Sequence, residues 1–223
     1  MTQTPQEETR DRAGNTGDKT GPGAAPDDPV DPVAPPDPVD PVDPVAIIKQ
    51  YYAPGTSLYD LLLRHGRQVA AKSLRLADKT GDSSLDRDFL EAAALLHDIG
   101  IIRVRAPALG CAGQADYICH GVFGREMLTS LGLPRHGLVC ERHVGVGLTV
   151  ADIRNNNFPL PLRDMRPVSR EETIIAYADK FFSKHPARLE RELSVEEVAA
   201  HLSNYGRQAA ETFLMWARLF GEA

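Results

Sequence analysis

The stretch that most constrains this chain is Phe89-Leu-Glu-Ala-Ala-Ala-Leu-Leu-His-Asp98, followed at once by Ile99-Gly100. An apolar run of that length reads as a helix buried in a core. A glycine directly after it is a common helix stop, since glycine enters the left-handed conformation without steric cost. The run therefore predicts a core helix that carries an imidazole and a carboxylate, His97 and Asp98, to its last turn. Such a helix must be buried among others, and its two polar groups must find partners there.

The rest of the chain supplies helices to pack against it. From residue 46 the apolar spacing is helical. Ala46–Tyr52 reads as a short helix broken by Pro54-Gly55. Ser57 is a candidate N-cap for a long helix to about Lys79, with Leu58, Leu61, Leu62, Val69 and Leu76 as its apolar stripe and His65 interrupting it. Asp86 caps the helix that ends in His97-Asp98. Residues 101–115 read as a loop with Arg103, Arg105, Pro107 and Gly110. A helix from about Asp116 to Leu131 bears His120 and ends at Gly132. Pro134 opens the next, with Cys140 and Glu141-Arg142-His143. Val144-Gly-Val-Gly147 lacks the third glycine and the preceding strand of a dinucleotide site, and reads as a helix end with close backbone packing. Thr149–Asn156 is a further short helix. Ser169-Arg-Glu-Glu172 is a capping box that opens the helix carrying Asp179 and Lys180. Ser194-Val-Glu-Glu197 is a second box. It opens a helix to about Phe220, with Val198, Leu202, Tyr205, Phe213, Leu214 and Trp216 as its core face. No alternating strand pattern of useful length appears. The expected fold is all-α, over residues 46–223.

Residues 1–45 differ in kind. Ten of the 17 prolines lie there, and Asp28-Pro-Val-Asp-Pro-Val recurs in longer form from Asp37 to Val45. Proline at every third position removes amide donors and blocks helix, while the aspartates repel one another. A disordered, partly polyproline-II extension is expected, acting as a solvated spacer rather than a docking segment. Gly14-Asn-Thr-Gly-Asp-Lys19-Thr misses the spacing of a phosphate loop by one residue and follows no strand. The extension holds the acidity: its net charge is -7, against +1 for residues 46–223. A nearly neutral domain gives no strong nucleic-acid or membrane-surface signal. No apolar run reaches the roughly 18 residues of a membrane span, and no secretory h-region is visible. Cys111, Cys119 and Cys140 are odd in number and fit no zinc-finger spacing, so reduced thiols in the cytoplasm are expected.

Four of the seven histidines, His65, His97, His120 and His143, share one context: each lies in a helix of its own among apolar or small residues. Asp98 and Asp179 add carboxylates in apolar helices. A buried ionised aspartate is costly unless paired or bound to a cation. Imidazole and carboxylate together suit divalent transition metals, and facing helices are a usual place to collect them. Plainer roles stay open at this point. A single core histidine is more often only hydrogen-bonded; Asp179 has Lys180 or Arg170 as possible partners, and Asp98 could cap a neighbouring helix. His136, His185 and His201 lie near helix ends or polar stretches and read as surface residues.

The order His65, His97-Asp98, His120, His143, Asp179, all on helices, resembles the HD-domain metal-dependent phosphohydrolases, and Ile99-Gly100 matches the HDIG form of their central motif. The resemblance covers about residues 56–185. Tyr117-Ile-Cys-His-Gly121, Glu141-Arg-His-Val-Gly145, Pro167-Val-Ser169 and Tyr177-Ala-Asp-Lys-Phe-Phe-Ser183 further resemble a bacterial subgroup of unassigned substrate. The resemblance implies an HD-type helical bundle that holds one or two divalent ions (Mn, Fe, Zn, Co or Ni, with Mg possible). His65, His97, Asp98 and Asp179 would be the four-ligand core. His120 and His143 match the extra histidines of members with a second ion, where Asp98 would bridge. With one ion, those two histidines would bind phosphate or move protons. Many relatives carry a lysine directly after Ile-Gly; here that position is Ile101, which leaves phosphate contact to Arg103, Arg105 or Arg142.

By that resemblance the chain would hydrolyse a phosphomonoester or phosphodiester of a nucleotide or other small phosphorylated metabolite with cation-activated water. Lys180 would either offset phosphoryl charge or orient Asp179, and a protonated His120 or His143 would assist the leaving group. Two other classes compete. The HD fold also hosts di-iron oxygenases with the same six-ligand pattern. A non-catalytic ligand-sensing or interaction module, tethered by the Asp-Pro-Val extension, is the third. Retention of all six candidate ligands weighs against that last class.

Overall fold

The computed structural model describes residues 42–184 and 191–222. The expected extension falls outside them except for its last four residues, and His185 falls outside them too. Nine α-helices run through the described residues: α1 (Pro44–Tyr51), α2 (Ser57–Thr80), α3 (Arg87–Leu96), α4 (His120–Ser130), α5 (Pro134–Arg142), α6 (Val150–Asn155), α7 (Arg170–Asp179), α8 (Val195–Leu202) and α9 (Arg207–Leu219).

Side-chain caps fix where several of these helices begin. The Asp43 carboxylate accepts from the Ala46 amide at 2.9 Å with Pro44 in the first turn, so α1 starts two residues before the expected Ala46. Thr56, rather than Ser57, caps α2 by accepting from the Tyr59 amide. Asp86 caps α3, as its position before the apolar run predicts. Ser194 and Glu197 close a complete capping box on α8. At α7 the box is half-formed: Ser169 accepts from Glu172 N–H, but the Glu172 carboxylate turns to the Val168 amide and to Arg142.

Helix α2 is the longest and packs on both α3 and α7, while α4 lies along α5. One apolar cluster joins α2, α3, α7, α8 and α9, centred on Tyr177, Phe181 and Phe213, with Tyr177 and Phe213 stacked at 4.8 Å. A second joins α1, α2 and α3 to α4 and α5 through Ile48, Leu62, Leu96, Ile99, Ile101 and Leu128. Burying each of these large side chains contributes roughly 1.5–3 kcal/mol. The lines of contact between α2, α3, α4, α5 and α7 are where the polar residues gather.

Several expectations are corrected. The glycine after His97-Asp98 does not stop the helix by a left-handed turn. Helix α3 ends at Leu96, and Ile99–Arg103 continues as a 3-10 turn. Gly100 is required there for closeness: a Cβ would lie 2.0 Å from the His120 carbonyl oxygen, so the turn can rest directly on α4. Residues 101–115 are more than loop, since Arg105–Ala106 (β1) and Cys111–Ala112 (β2) pair as a two-residue antiparallel hairpin. The expected final helix is two helices. Gly206, at φ +129, adopts a conformation open to little else and separates α8 from α9. Tyr205 is consequently 75% exposed instead of core, while Phe213 and Trp216 are buried as expected. His136, expected at the surface, is buried edge-on against Phe89 at 4.8 Å. Val144–Gly147 is a tight helix exit: Gly147 has φ +88, and a Cβ there would meet the Arg166 backbone at 2.6 Å.

Candidate metal centre

Three of the four histidines are aimed by the same local device. In each case the ring donates to a backbone carbonyl three residues back; at the ends of α3 and α5 that carbonyl is one the helix leaves without an amide partner, whereas the Tyr117 carbonyl also accepts from the His120 amide. His97 Nδ1 meets the Ala94 carbonyl at 2.6 Å, His143 Nδ1 meets that of Cys140 at 2.7 Å, and His120 Nδ1 meets that of Tyr117 at 2.7 Å. Each carbonyl belongs to residue i−3. A carbonyl only accepts, so Nδ1 carries the proton and Nε2 of the neutral ring keeps its lone pair. His65 arrives differently, from the middle of α2, with Nε2 2.9 Å from Asp179 Oδ1.

The four Nε2 atoms converge on two carboxylates. His65 Nε2 and His97 Nε2 are 3.2 Å apart. Asp98 Oδ2 lies 3.4 Å from the first and 3.3 Å from the second, and Asp179 Oδ1 lies 3.4 Å from His97. On the other side His120 Nε2 and His143 Nε2 are 3.1 Å apart, each 3.5 Å from Asp98 Oδ1. Two donor groups result, His65/His97/Asp98/Asp179 and Asp98/His120/His143, each with its donor atoms within 4.8 Å of one another. All six residues are buried, at 0% exposure for His65, His97 and Asp98.

These groups fit a divalent metal. Neither oxygen of Asp98 receives an aligned hydrogen bond, although both are buried. A buried ionised carboxylate is costly unless cations face it. Ligands at about 2.0–2.2 Å from one ion stand roughly 3–3.5 Å from one another, which is the range of the separations here. Nitrogen and oxygen donors without thiolate suit Mn, Fe, Zn, Co or Ni.

Charge is shared unevenly across the cluster. Burial pushes the imidazoles of His65 and His143 down to about 4, and lowers that of His120. Burial acts the same way on His97, but Asp98 and Asp179 beside it outweigh it and raise its pKa to about 9. Burial disfavours the ionised form of both aspartates. Lys184 and His97 nevertheless hold Asp98 well below the usual carboxylate range, and Lys180 and Lys184 do so for Asp179.

The lysines and arginines divide clearly. Lys180 Nζ reaches Asp179 Oδ2 at 2.6 Å and the His143 carbonyl at 3.0 Å, which orients Asp179 so that Oδ1 faces the histidines. Arg170, an expected alternative partner of Asp179, instead pairs with Asp82. Arg142 is buried and holds both Glu172 oxygens, at 3.0 and 3.1 Å. Arg103 is exposed and paired with Glu126, and Arg105 is exposed on the hairpin. The structure brings the six histidines and aspartates together, and beside them stands Lys184, which the sequence does not single out, with Nζ 2.8 Å from Asp98 Oδ2 and 3.6 Å from Asp179 Oδ1. It follows the end of α7 in the polar Ser183-Lys184-His185, where no apolar spacing singles it out. Beside the cluster the Tyr117 ring packs on His120 at 4.7 Å, and the residue stays 38% exposed.

A family model described as the HD domain matches residues 62–183. An uncharacterized protein of Methanocaldococcus jannaschii is 36% identical over 110 residues, covering 49% of this chain and 57% of that protein. A tRNA (cytidine(56)-2'-O)-methyltransferase of Picrophilus torridus is 33% identical over 125 residues, covering 56% of this chain and 32% of that protein. The chain therefore spans less than two thirds of either relative. Among the described residues no helix is long and apolar enough to cross a membrane.

Proposed function

This chain belongs to the HD-domain family, and from that premise we propose that it is a metal-dependent phosphohydrolase acting on a small phosphorylated, nucleotide-like substrate. The observation that carries the proposal is the division of Asp98: Oδ2 faces His65 and His97, and Oδ1 faces His120 and His143. A carboxylate with one oxygen in each of two histidine pairs is suited to join two cations. We assign His65, His97, Asp98 and Asp179 to the first ion and Asp98, His120 and His143 to the second. Divalent ions there would lower the pKa of water and withdraw charge from a phosphoryl group.

The other residues follow from the contacts. Lys180 is a positioning residue, because both its partners are protein atoms of the cluster. Arg142 is neutralised by Glu172, so it is withdrawn as a phosphate contact. Tyr117 offers a half-open aromatic face beside His120, which suits stacking of a base. The near-neutral charge of residues 46–223 favours a small substrate over a polynucleotide. The methyl transfer in the Picrophilus protein's name is not carried over, since this chain spans 32% of that protein.

The test is elemental analysis of anaerobically purified full-length protein and of Asp98→Ala. It is run with phosphate release from phosphomonoesters and phosphodiesters and with oxygen uptake. The proposal expects bound metal and phosphate release in the wild type, and loss of both in the variant. Oxygen uptake without phosphate release would move the chain to the di-iron oxygenases. A wild type without metal would leave a binding module.

A further inference from the structure

The lysine that the site's donor pattern does not need lies closest to its shared carboxylate. Lys184 Nζ is 2.8 Å from Asp98 Oδ2 and 3.6 Å from Asp179 Oδ1. These are the same two oxygens that face His65 and His97, at 2.9–3.4 Å. Lys180 does not share this property, because it takes Asp179 Oδ2, the oxygen turned away from the histidines. The two lysines are thus distinguished at the level of single atoms. One leaves the donor atoms free, and the other engages them.

An ammonium and a divalent cation cannot both draw fully on those lone pairs. Like charges a few ångströms apart repel strongly in a buried setting. The Lys184 side chain is 15% exposed and follows α7 by a few residues, so it borders solvent as well as the cluster. Without a cation the arrangement has a clear use. Asp98 is buried and lacks an aligned hydrogen bond, and the ammonium helps to offset its charge.

We propose that Lys184 is a built-in stand-in cation: it holds Asp98 and Asp179 together in the metal-free protein, competes with the incoming metal for Asp98 Oδ2 and Asp179 Oδ1, and on metal binding swings to the rim, where it meets the substrate's anionic group. The proposal rests on the phosphohydrolase reading for its last clause and on the donor geometry alone for the rest. It makes metal uptake an exchange of cations rather than a filling of a preformed site.

The test uses the full-length chain, stripped with chelator, and Mn²⁺ alone as probe. Calorimetric titration of wild type and Lys184→Gln should show tighter Mn²⁺ binding in the variant, by about tenfold or more. The metal-free variant should melt below metal-free wild type, and the gap should narrow with Mn²⁺ present. Unchanged or weaker Mn²⁺ binding in Lys184→Gln, with equal melting losses in both states, would overturn the proposal and leave the metal site standing. Absence of Mn²⁺ binding in the wild type would overturn both. A variant that does not fold is bypassed by lysine methylation of the wild type read by mass spectrometry. Lys184 should be protected without Mn²⁺ and modified with it, and equal modification in the two states sinks the exchange.

Discussion

His120 and His143 come from different helices, α4 and the end of α5, yet their Nε2 atoms stand 3.1 Å apart. Each ring donates its other nitrogen to a carbonyl three residues back, so neither can rotate away without losing a hydrogen bond. Two ring nitrogens held this close, each at 3.5 Å from Asp98 Oδ1, form a single donor pair.

Removing that pair should remove one ion and spare the other. His120→Ala/His143→Ala leaves His65, His97, Asp98 and Asp179 intact, with Lys180 still orienting Asp179. Elemental analysis should find one ion fewer per chain than in wild type, and phosphate release should fall by about 10²-fold or more. Equal metal content in the two proteins would assign these histidines to substrate instead.

The metal-stripped protein should be most stable near neutral to weakly acidic pH, and the sign follows from the imidazoles. His65 and His143 are pushed down to about 4 in the fold, against about 6.5 in an unfolded chain. Between those values the unfolded chain binds more protons, so stability falls as pH drops through 6.5 toward 4. His97 is raised to about 9 and acts oppositely: its contribution is present below 6.5 and is lost as pH rises through 9. Melting temperature in chelator should therefore decline on both sides of about pH 6.5. A flat profile from 4 to 6.5 would contradict the burial of these rings.

Arg142 provides a sharper separation of structure from chemistry. It is 4% exposed and bound to both Glu172 oxygens, and Glu172 also accepts from the Val168 amide at 2.7 Å. Arg142→Met leaves a buried carboxylate unpaired, at a cost of about 3–5 kcal/mol. Thermal denaturation should show the loss as a drop of roughly 10 °C, while KM for the substrate stays unchanged. A raised KM with unchanged melting would restore Arg142 as a phosphate contact.

The sequence carried the helices and the six polar cluster residues because both leave local traces. An apolar helix with a histidine or aspartate in it must explain that residue, and His65, His97, His120, His143 and Asp179 all stand out this way. Lys184 and Tyr52 leave no such trace. A lysine in a polar stretch looks solvated until the fold brings it 2.8 Å from Asp98, and a tyrosine beside a helix end looks like ordinary core. His136 departs from expectation for the converse reason: Pro134-Arg-His-Gly is polar in sequence, but α5 is covered by α3 and α4. Tyr205 is exposed because the backbone turns at Gly206, although the apolar spacing runs on through it. What sequence periodicity cannot express is which residue a remote element will meet.

Tyr52 is the clearest case, and it gives the last prediction. Its hydroxyl donates to the Ile99 carbonyl at 2.6 Å and accepts from the Ile102 amide at 3.0 Å. It thereby pins both ends of the turn that begins at Asp98, from a position just past the end of α1 and 47 residues away in sequence. Tyr52→Phe keeps the ring, which is 2% exposed, and removes only the pin. The half-buried Ile102 amide loses its partner, at about 1 kcal/mol. Loosening the turn should also let Asp98 drift between its two histidine pairs, and supporting residues of this kind typically matter to metal affinity by about 10–100-fold. Calorimetric Mn²⁺ titration of the variant should show that weakening together with a lower melting temperature. A lower melting temperature with unchanged Mn²⁺ affinity would mean that Asp98 is held by its neighbours in the cluster and that the Tyr52 hydroxyl serves the fold alone.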